Sequence, residues 1–288
     1  MERKSFPIKQ ASTRNWEEVF KKPCPIAHES FVTAEATLKK KGALNLNHPK
    51  AAGIKDESFK APVLAHWIRH REFGDYFIDT GMDSSYQKRP YGLYRGLLKR
   101  VFMGKCVQEV GQDIRARIQQ DQIDLKGVFF THLHFDHISG AVDLPKDASL
   151  RYVTGKEETY FVIDKKFLFR SPDFLEGVET LYGIDFADAN AVDMPVVGKC
   201  ADVFADGSLW AISTPGHTQG HVSFLVNSEP GPVLITGDAC LVKTGFDMGI
   251  GPGTYSNNLE ESQRSLEKMI ELVQKYPNIK VVFGHELP

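Results

Sequence analysis

Four short apolar runs punctuate the second half of the chain, and each ends on residues that can bind a metal. Val128-Phe129-Phe130-Thr131 leads into His132-Leu133-His134-Phe135-Asp136-His137, and Leu209-Trp210-Ala211-Ile212-Ser213-Thr214 into Pro215-Gly216-His217. Val233-Leu234-Ile235-Thr236 leads into Gly237-Asp238, and Val281-Val282-Phe283 into Gly284-His285. Apolar runs of this length closed by turn residues predict buried strands. Glycine at the exits lets the backbone turn sharply and lets a ligand approach closely. Upstream, Val63 to Ile68, a turn around Phe73-Gly74-Asp75, and Tyr76 to Gly81 predict a β-hairpin ending in Asp79-Thr80-Gly81.

Elsewhere the spacing is helical. Residues 83–122 predict helix, with Val107, Val110, Ile114 and Ile118 on one apolar face. The start of that stretch interleaves Tyr86, Tyr91 and Tyr94 with Arg89, Arg95, Lys99 and Arg100. It fits a helix packed on the main body, a homodimer interface, or a wall or lid of a substrate pocket. Residues 155–170 carry a second amphipathic pattern, and 171–195 read as irregular. Asn258 offers a cap to a helix lined by Leu259, Leu266, Met269, Ile270 and Val273 that stops before Pro277. Residues 1–60 are polar and predict an N-terminal extension. Trp16, Phe20 and Phe31 would anchor it to the domain at 61–288 or to a partner subunit.

The chemistry lies in the histidine cluster. A strand alternates its side chains, so His132 and His134 can point the same way as that strand ends, and Asp136 and His137 lie past the bend toward a second position. Imidazoles with a carboxylate suit zinc or a similar transition metal better than calcium or magnesium. With the single ligand-type residues at the other three exits, the chain offers a complete metal-binding set.

These motifs resemble the metallo-β-lactamase superfamily of metal-dependent hydrolases, from about Val63 to the C-terminus. The resemblance implies an α/β fold, an αββα sandwich with the metals at one edge of the paired sheets. Carried over residue by residue, it implies that His132, His134 and His217 hold one divalent ion, and Asp136, His137 and His285 a second, with Asp238 bridging them. Zinc comes first, with iron, manganese and cobalt as alternatives. Two such metals would lower the pKa of a bridging water toward ~7 and provide a hydroxide nucleophile. Asp136 would relay its proton and Asp238 would fix the metal separation. Asp79, Thr214 and His221 are candidates to orient the imidazoles.

Within the superfamily, Ile78-Asp79-Thr80-Gly81-Met82, His132 to His137, Thr214 to His217, Asp238-Ala239 and Phe283-Gly284-His285 are most similar to N-acyl homoserine lactonases. One departure is Leu241, where a branch of those lactonases has a tyrosine that contacts the substrate carbonyl. Tyr86, Tyr91 or Tyr255 would have to substitute, and Tyr94 is a further pocket candidate. The implied activity is opening of acyl homoserine lactones or related lactones and esters. A phosphodiesterase or another ester hydrolase on the same core, and a non-catalytic metal-binding scaffold, are the competing readings.

Composition adds limits. The formal net charge of −2 gives no overall basic field for nucleic acid or an anionic membrane. No apolar run approaches the ~18 residues of a membrane span. The charged start, Met1-Glu2-Arg3-Lys4, has no apolar stretch behind it, so no signal peptide is expected in this sequence, although a mature form after cleavage would read the same. Cys24, Cys106, Cys200 and Cys240 show no paired spacing. Reduced thiols in a cytoplasmic protein are the expectation.

Overall fold

Val128 and Phe130 point to one side of their strand and Phe129 to the other, and all three are buried. The same double burial holds for Trp210 against Ala211 and for Leu234 against Ile235. This is why these runs are continuously apolar instead of alternating: each strand is covered on both faces. A computed structural model of the chain describes residues 1–287, the side chain of Phe102 excepted.

The first sheet contains β1 (Glu2–Ser5), β2 (Ile26–Lys39), β3 (Ser58–His70), β4 (Gly74–Ile78), β5 (Cys106–Val107), β6 (Leu125–Phe129), β7 (Arg151–Gly155) and β8 (Thr180–Ile184). Their order is β1-β8-β7-β6-β4-β3-β2-β5. The second sheet contains β9 (Val192–Met194), β10 (Gly198–Asp202), β11 (Leu209–Ser213), β12 (Val222–Ser228), β13 (Gly231–Ile235) and β14 (Lys280–Val282), ordered β14-β13-β12-β11-β10-β9. Ile68, Ile78, Phe129 and Val153 of the first sheet meet Ala211, Phe224, Val226 and Ile235 of the second in the central core. The helix Leu259–Lys275, capped by Asn258, lays Leu266, Met269 and Leu272 on the outer face of the second sheet. Ile114 and Ile138 cover the outer face of the first. The layers form the expected αββα sandwich.

Three local expectations change. Residues 83–122 are not one helix: a turn at Ser84–Gln87, a single helical turn at Lys99–Phe102, strand β5 and a helix at Ile114–Asp121 replace it. Pro90 and the left-handed Gly92 and Gly96 interrupt the stretch. Val107 lies in β5 and, like Val110, is exposed, so the apparent apolar face does not exist. Residues 155–170 also form no helix. Their backbone instead pairs with residues 95–98, through Leu97 N–H to Phe167 O and Leu98 N–H to Leu168 O. Finally, residues 1–60 supply two strands of the first sheet. β2 pairs with β3 from Ile26↔His70 to Lys39↔Ser58, so the boundary drawn at residue 61 falls inside the sheet. Among the described residues no helix is long and apolar enough to cross a membrane.

Candidate metal centre

The four ligand-bearing segments leave neighbouring strand ends on one edge of the sandwich. Strand β6 stops at Phe129, two residues earlier than the apolar run. His132 therefore lies in the loop, and His134 caps the short helix Phe135–Ile138 that carries Asp136 and His137. The loops after β11, β13 and β14 bring in His217, Asp238 and His285.

Their side chains form three overlapping groups: His132–His134–His217, His132–His137–Asp238 and Asp136–His137–His285. In each, one N or O atom per residue lies within 4.8 Å of the others. Asp238 joins the outer two. Its Oδ2 is 3.3 Å from His217 Nε2, and its Oδ1 lies 3.4 Å from His137 Nε2 and 3.5 Å from His285 Nε2. Asp136 Oδ2 is 3.5 Å from His285 Nε2. His132 Nε2, His137 Nε2 and Asp238 Oδ1 are buried and have no hydrogen-bond partner. Such orphaned atoms are costly unless something binds them. These donors fit two divalent cations.

The electrostatics divide the set: against the opposing effect of burial, Asp79 and Asp238 raise His137 well above the ordinary histidine value and Asp238 raises His285, so a cation there has to displace a proton. Burial, reinforced by neighbouring imidazoles, pushes His132 and His217 well below the usual histidine range, leaving neutral rings; His132 Nε2 is unpartnered, and His217 Nε2 lies 2.9 Å from His134 Nδ1. Burial opposes charge on Asp238, but His285, His137 and His217 outweigh it and hold the carboxyl well below its ordinary value.

A second layer of contacts sets the ring orientations. Asp79 Oδ2 accepts from His137 Nδ1 at 2.7 Å, and its two oxygens also accept the Thr131 N–H and hydroxyl, both at 2.8 Å. Asp79 adopts a left-handed backbone, φ 58°, which aspartate tolerates better than most residues. His285 Nδ1 donates to the Pro62 carbonyl at 2.9 Å, and Thr131 Oγ1 lies 3.1 Å from His132 Nδ1. His221 acts through the backbone of Asp238. Thr214 touches no candidate ligand; its hydroxyl meets His221 Nδ1 at 2.9 Å.

The pocket candidates separate. Tyr255 lines the metal cleft with Asp136, His217 and His285, and its hydroxyl accepts the Lys39 N–H at 3.1 Å. Tyr94 lines an adjoining cavity of about 630 Å³ with Met103, Phe135, Phe169 and Phe174. Met103, His134 and Phe135 border both spaces. Tyr86 does not line either space: it packs among Ala34, Ala36 and Met82. Tyr91 is half-buried and borders neither space. Leu241 turns away from the cleft into a small core with Leu44, Val242 and Ile250, because its side chain follows the apolar side of the loop. Cys240 is buried, its thiol donating to the Val242 carbonyl, and belongs to none of the metal groups.

Glu158 was not singled out by the sequence. Within Lys156-Glu157-Glu158 it reads as part of a solvated charge run, yet it is buried. Its carboxylate accepts the Leu133 N–H at 3.1 Å, the Gly220 N–H at 3.0 Å and the Thr218 hydroxyl. It ties the His132–His134 loop to the loop after His217.

With this geometry in view, the comparisons decide the family. A sequence profile described as the metallo-beta-lactamase superfamily matches residues 75–285. The chain belongs to the metallo-beta-lactamase superfamily. It is 30% identical over 233 residues to N-acyl homoserine lactonase AttM of Agrobacterium fabrum, covering 79% of this chain and 83% of that one. It is 28% identical over 230 residues to AttM of Azorhizobium caulinodans, with the same shares covered. These superfamily relatives mark it as a hydrolase. Among solved structures, an AiiA variant of Bacillus thuringiensis with N-decanoyl-L-homoserine at its active site superposes with a TM-score of 0.66 at 18% identity, covering 90% of this chain and 92% of that one. AidC, a dizinc quorum-quenching lactonase in complex with a product, superposes with a TM-score of 0.59 at 14% identity, covering 92% and 88%. At these identities the superpositions speak for the fold.

Proposed function

We propose that this chain is a dinuclear metal-dependent lactonase that opens N-acyl homoserine lactones or closely related lactones. One observation carries the reading: Asp238 turns one carboxylate oxygen to each of two separate ligand groups, the arrangement a bridging residue needs. The names of the matched relatives supply the substrate class. The imidazole-rich donor set favours zinc, with iron, manganese and cobalt competing by availability. Degradation of a quorum signal is the biological role such an activity would serve.

Two ions bound there supply Lewis acidity and make water a usable nucleophile near neutral pH. The protein supplies the rest. Asp136 Oδ2 faces His285, which leaves Oδ1 to take a proton and return it to the leaving oxygen. Tyr255 accepts the Lys39 N–H, so its own proton is free to be donated to a substrate oxygen in the cleft. The apolar cavity beside His134 gives an acyl chain a place to leave water.

The test is proton release from the zinc-loaded protein mixed with a long-chain acyl homoserine lactone, with Asp238→Asn as control. Turnover that disappears in the variant supports the reading. Full metal occupancy without turnover, or turnover of phosphodiesters alone, would overturn it.

A further inference from the structure

Beside the mouth of the 630 Å³ cavity, two loops expose apolar side chains to water. Leu97, Val101, Phe161 and Phe167 are 77%, 73%, 72% and 71% exposed, and Leu98, Val162 and Leu168 are also exposed. They form one surface, because the loops are joined by backbone hydrogen bonds: Arg95 and Arg170 exchange both bonds at 3.0 Å, and Leu97 and Leu98 donate to Phe167 and Leu168. Gly96 permits this close approach, since a Cβ there would lie 2.5 Å from the Leu168 carbonyl oxygen. A contiguous apolar patch of this kind is uncommon on a protein that meets only water.

The charge on the two loops themselves is one-sided, with Asp173 and Glu176 bordering them beside Arg95, Val162 and Arg170. From Lys88 to Lys105 there are six basic side chains and no acidic one, and residues 161–171 add Lys165, Lys166 and Arg170 against Asp164 alone. These two segments therefore carry +8, which leaves −10 on the rest of a chain whose total is −2. The near-neutral total that argued against an anionic membrane conceals this separation. Among the described residues, none of Lys88, Arg89, Arg95, Lys99, Arg100 and Lys105 forms an ion pair.

We propose that the paired loops are a docking surface for an anionic lipid bilayer. Leu97, Val101 and Phe167 enter the acyl boundary while the flanking lysines and arginines meet lipid phosphates. An apolar tip with a basic flank is the pattern that binds such interfaces, each cation adding to the attraction. A second copy of this chain fits the same face less well, because a two-fold contact sets each patch against itself, +8 against +8. Phe161 and Ile163 belong both to this surface and to the cavity lining, so a substrate whose acyl chain is dissolved in the bilayer would meet the cavity at the contact. Only that delivery role rests on the lactonase reading; lipid binding is read without substrate, so the two can fail separately.

The test is co-sedimentation of the metal-loaded full chain with phosphatidylserine–phosphatidylcholine vesicles and with pure phosphatidylcholine vesicles. Binding to the anionic vesicles is expected to be about tenfold stronger or more, and to fall with salt. Leu97→Ser/Val101→Ser/Phe167→Ser and, separately, Arg100→Glu/Lys166→Glu should each lose it by a similar factor. Both should keep the wild-type circular dichroism and turnover of a short-chain lactone. If the triple variant misfolds, the charge variant still decides. No retention on anionic vesicles, retention that ignores lipid charge and salt, or a dimer in light scattering that the charge variant strengthens while vesicles fail to bind would each overturn the proposal.

Discussion

His221 Nε2 accepts the backbone N–H of Asp238 at 3.0 Å. That fixes the remaining proton on Nδ1, which donates to Thr214 Oγ1; Thr214 donates to Ser223 Oγ, and Ser223 to the Thr236 carbonyl at 2.8 Å. Every link has one donor and one acceptor, so the chain holds a neutral ring in a single orientation. Burial pushes His221 down to about 3, in keeping with that state. The expected effect of His221→Ala is a loss of metal affinity of about 10–100-fold, the scale for groups that orient ligands. Metal content after dialysis against a graded chelator measures it. Wild-type retention would show that Asp238 needs no such support.

Gly284 sits where a Cβ would lie 2.3 Å from Asp238 Oδ1 and 2.8 Å from the Gly237 carbonyl oxygen. The Gly237 carbonyl is main chain and accepts the Cys240 N–H, so the unpartnered Asp238 oxygen has to give way. Gly284→Ala should therefore displace the oxygen that faces His137 and His285. The prediction is loss of one of two metal equivalents, or of most turnover, with a smaller fall in stability of about 1–3 kcal/mol. Metal analysis beside a urea melt separates the two effects.

Glu158 joins two loops through three accepted hydrogen bonds. Glutamine keeps the shape but turns an NH₂ toward groups that donate, leaving at least one buried N–H unpaired. Glu158→Gln should cost about 1–3 kcal/mol and loosen His132, His134 and His217 together. Urea unfolding and metal affinity should fall in parallel; a variant that loses only surface charge would change neither.

The candidate ligand set was legible in the sequence because metal-binding chemistry tolerates few residue types, so His132, His217, Asp238 and His285 stand out at strand exits, and the fold brings their side chains together. The hairpin and the buried strands were readable because double burial leaves apolar runs. Strand β2 was not: half of it is only partly buried, and its mixture of Glu29, Ser30, Thr33 and Glu35 resembles a polar tail until β3 pairs with it. The spacing of Val107, Val110, Ile114 and Ile118 imitates a helix face, but Val107 lies in β5 and the left-handed Gly111 separates Val110 from the helix that begins at Ile114. Glu158 and Leu241 share one difficulty: what each side chain faces depends on loops brought together by the fold, and no local pattern records that.

His28 and His66 flank Ser30, whose Oγ lies 3.0 Å from His28 Nε2 and 2.9 Å from His66 Nδ1. Burial lowers His28 to about 4 and His66 well below its ordinary value of 6.5. Between pH 6.5 and 4 the unfolded chain binds protons at these two rings that the folded chain refuses, so their contribution lowers stability as pH drops through that window. His28 is partly exposed, so its share is on the order of 1–2 kcal/mol. His28→Asn should flatten the pH dependence of the urea midpoint below pH 6.5 and leave it unchanged above pH 7. Parallel curves for the two proteins would contradict the assignment.

Leu241 and Tyr255 pose opposite tests of where the substrate carbonyl lies. Leu241 is packed among Leu44, Val242 and Ile250, so Leu241→Met should leave kcat/KM within about threefold, since a volume-conserving core change is tolerated. Tyr255 stands in the metal cleft with its hydroxyl proton free. Tyr255→Phe removes that donor and also the acceptor for the Lys39 N–H, which is near solvent and can turn to water. The metal groups do not include Tyr255, so metal content should stay at the wild-type level. If the hydroxyl stabilises charge that develops on a substrate oxygen, kcat should fall about 10–100-fold with KM little changed, because the contact strengthens only as the charge appears. A rise in KM alone would mean that Tyr255 merely holds substrate, and no change in either constant would remove it from the site.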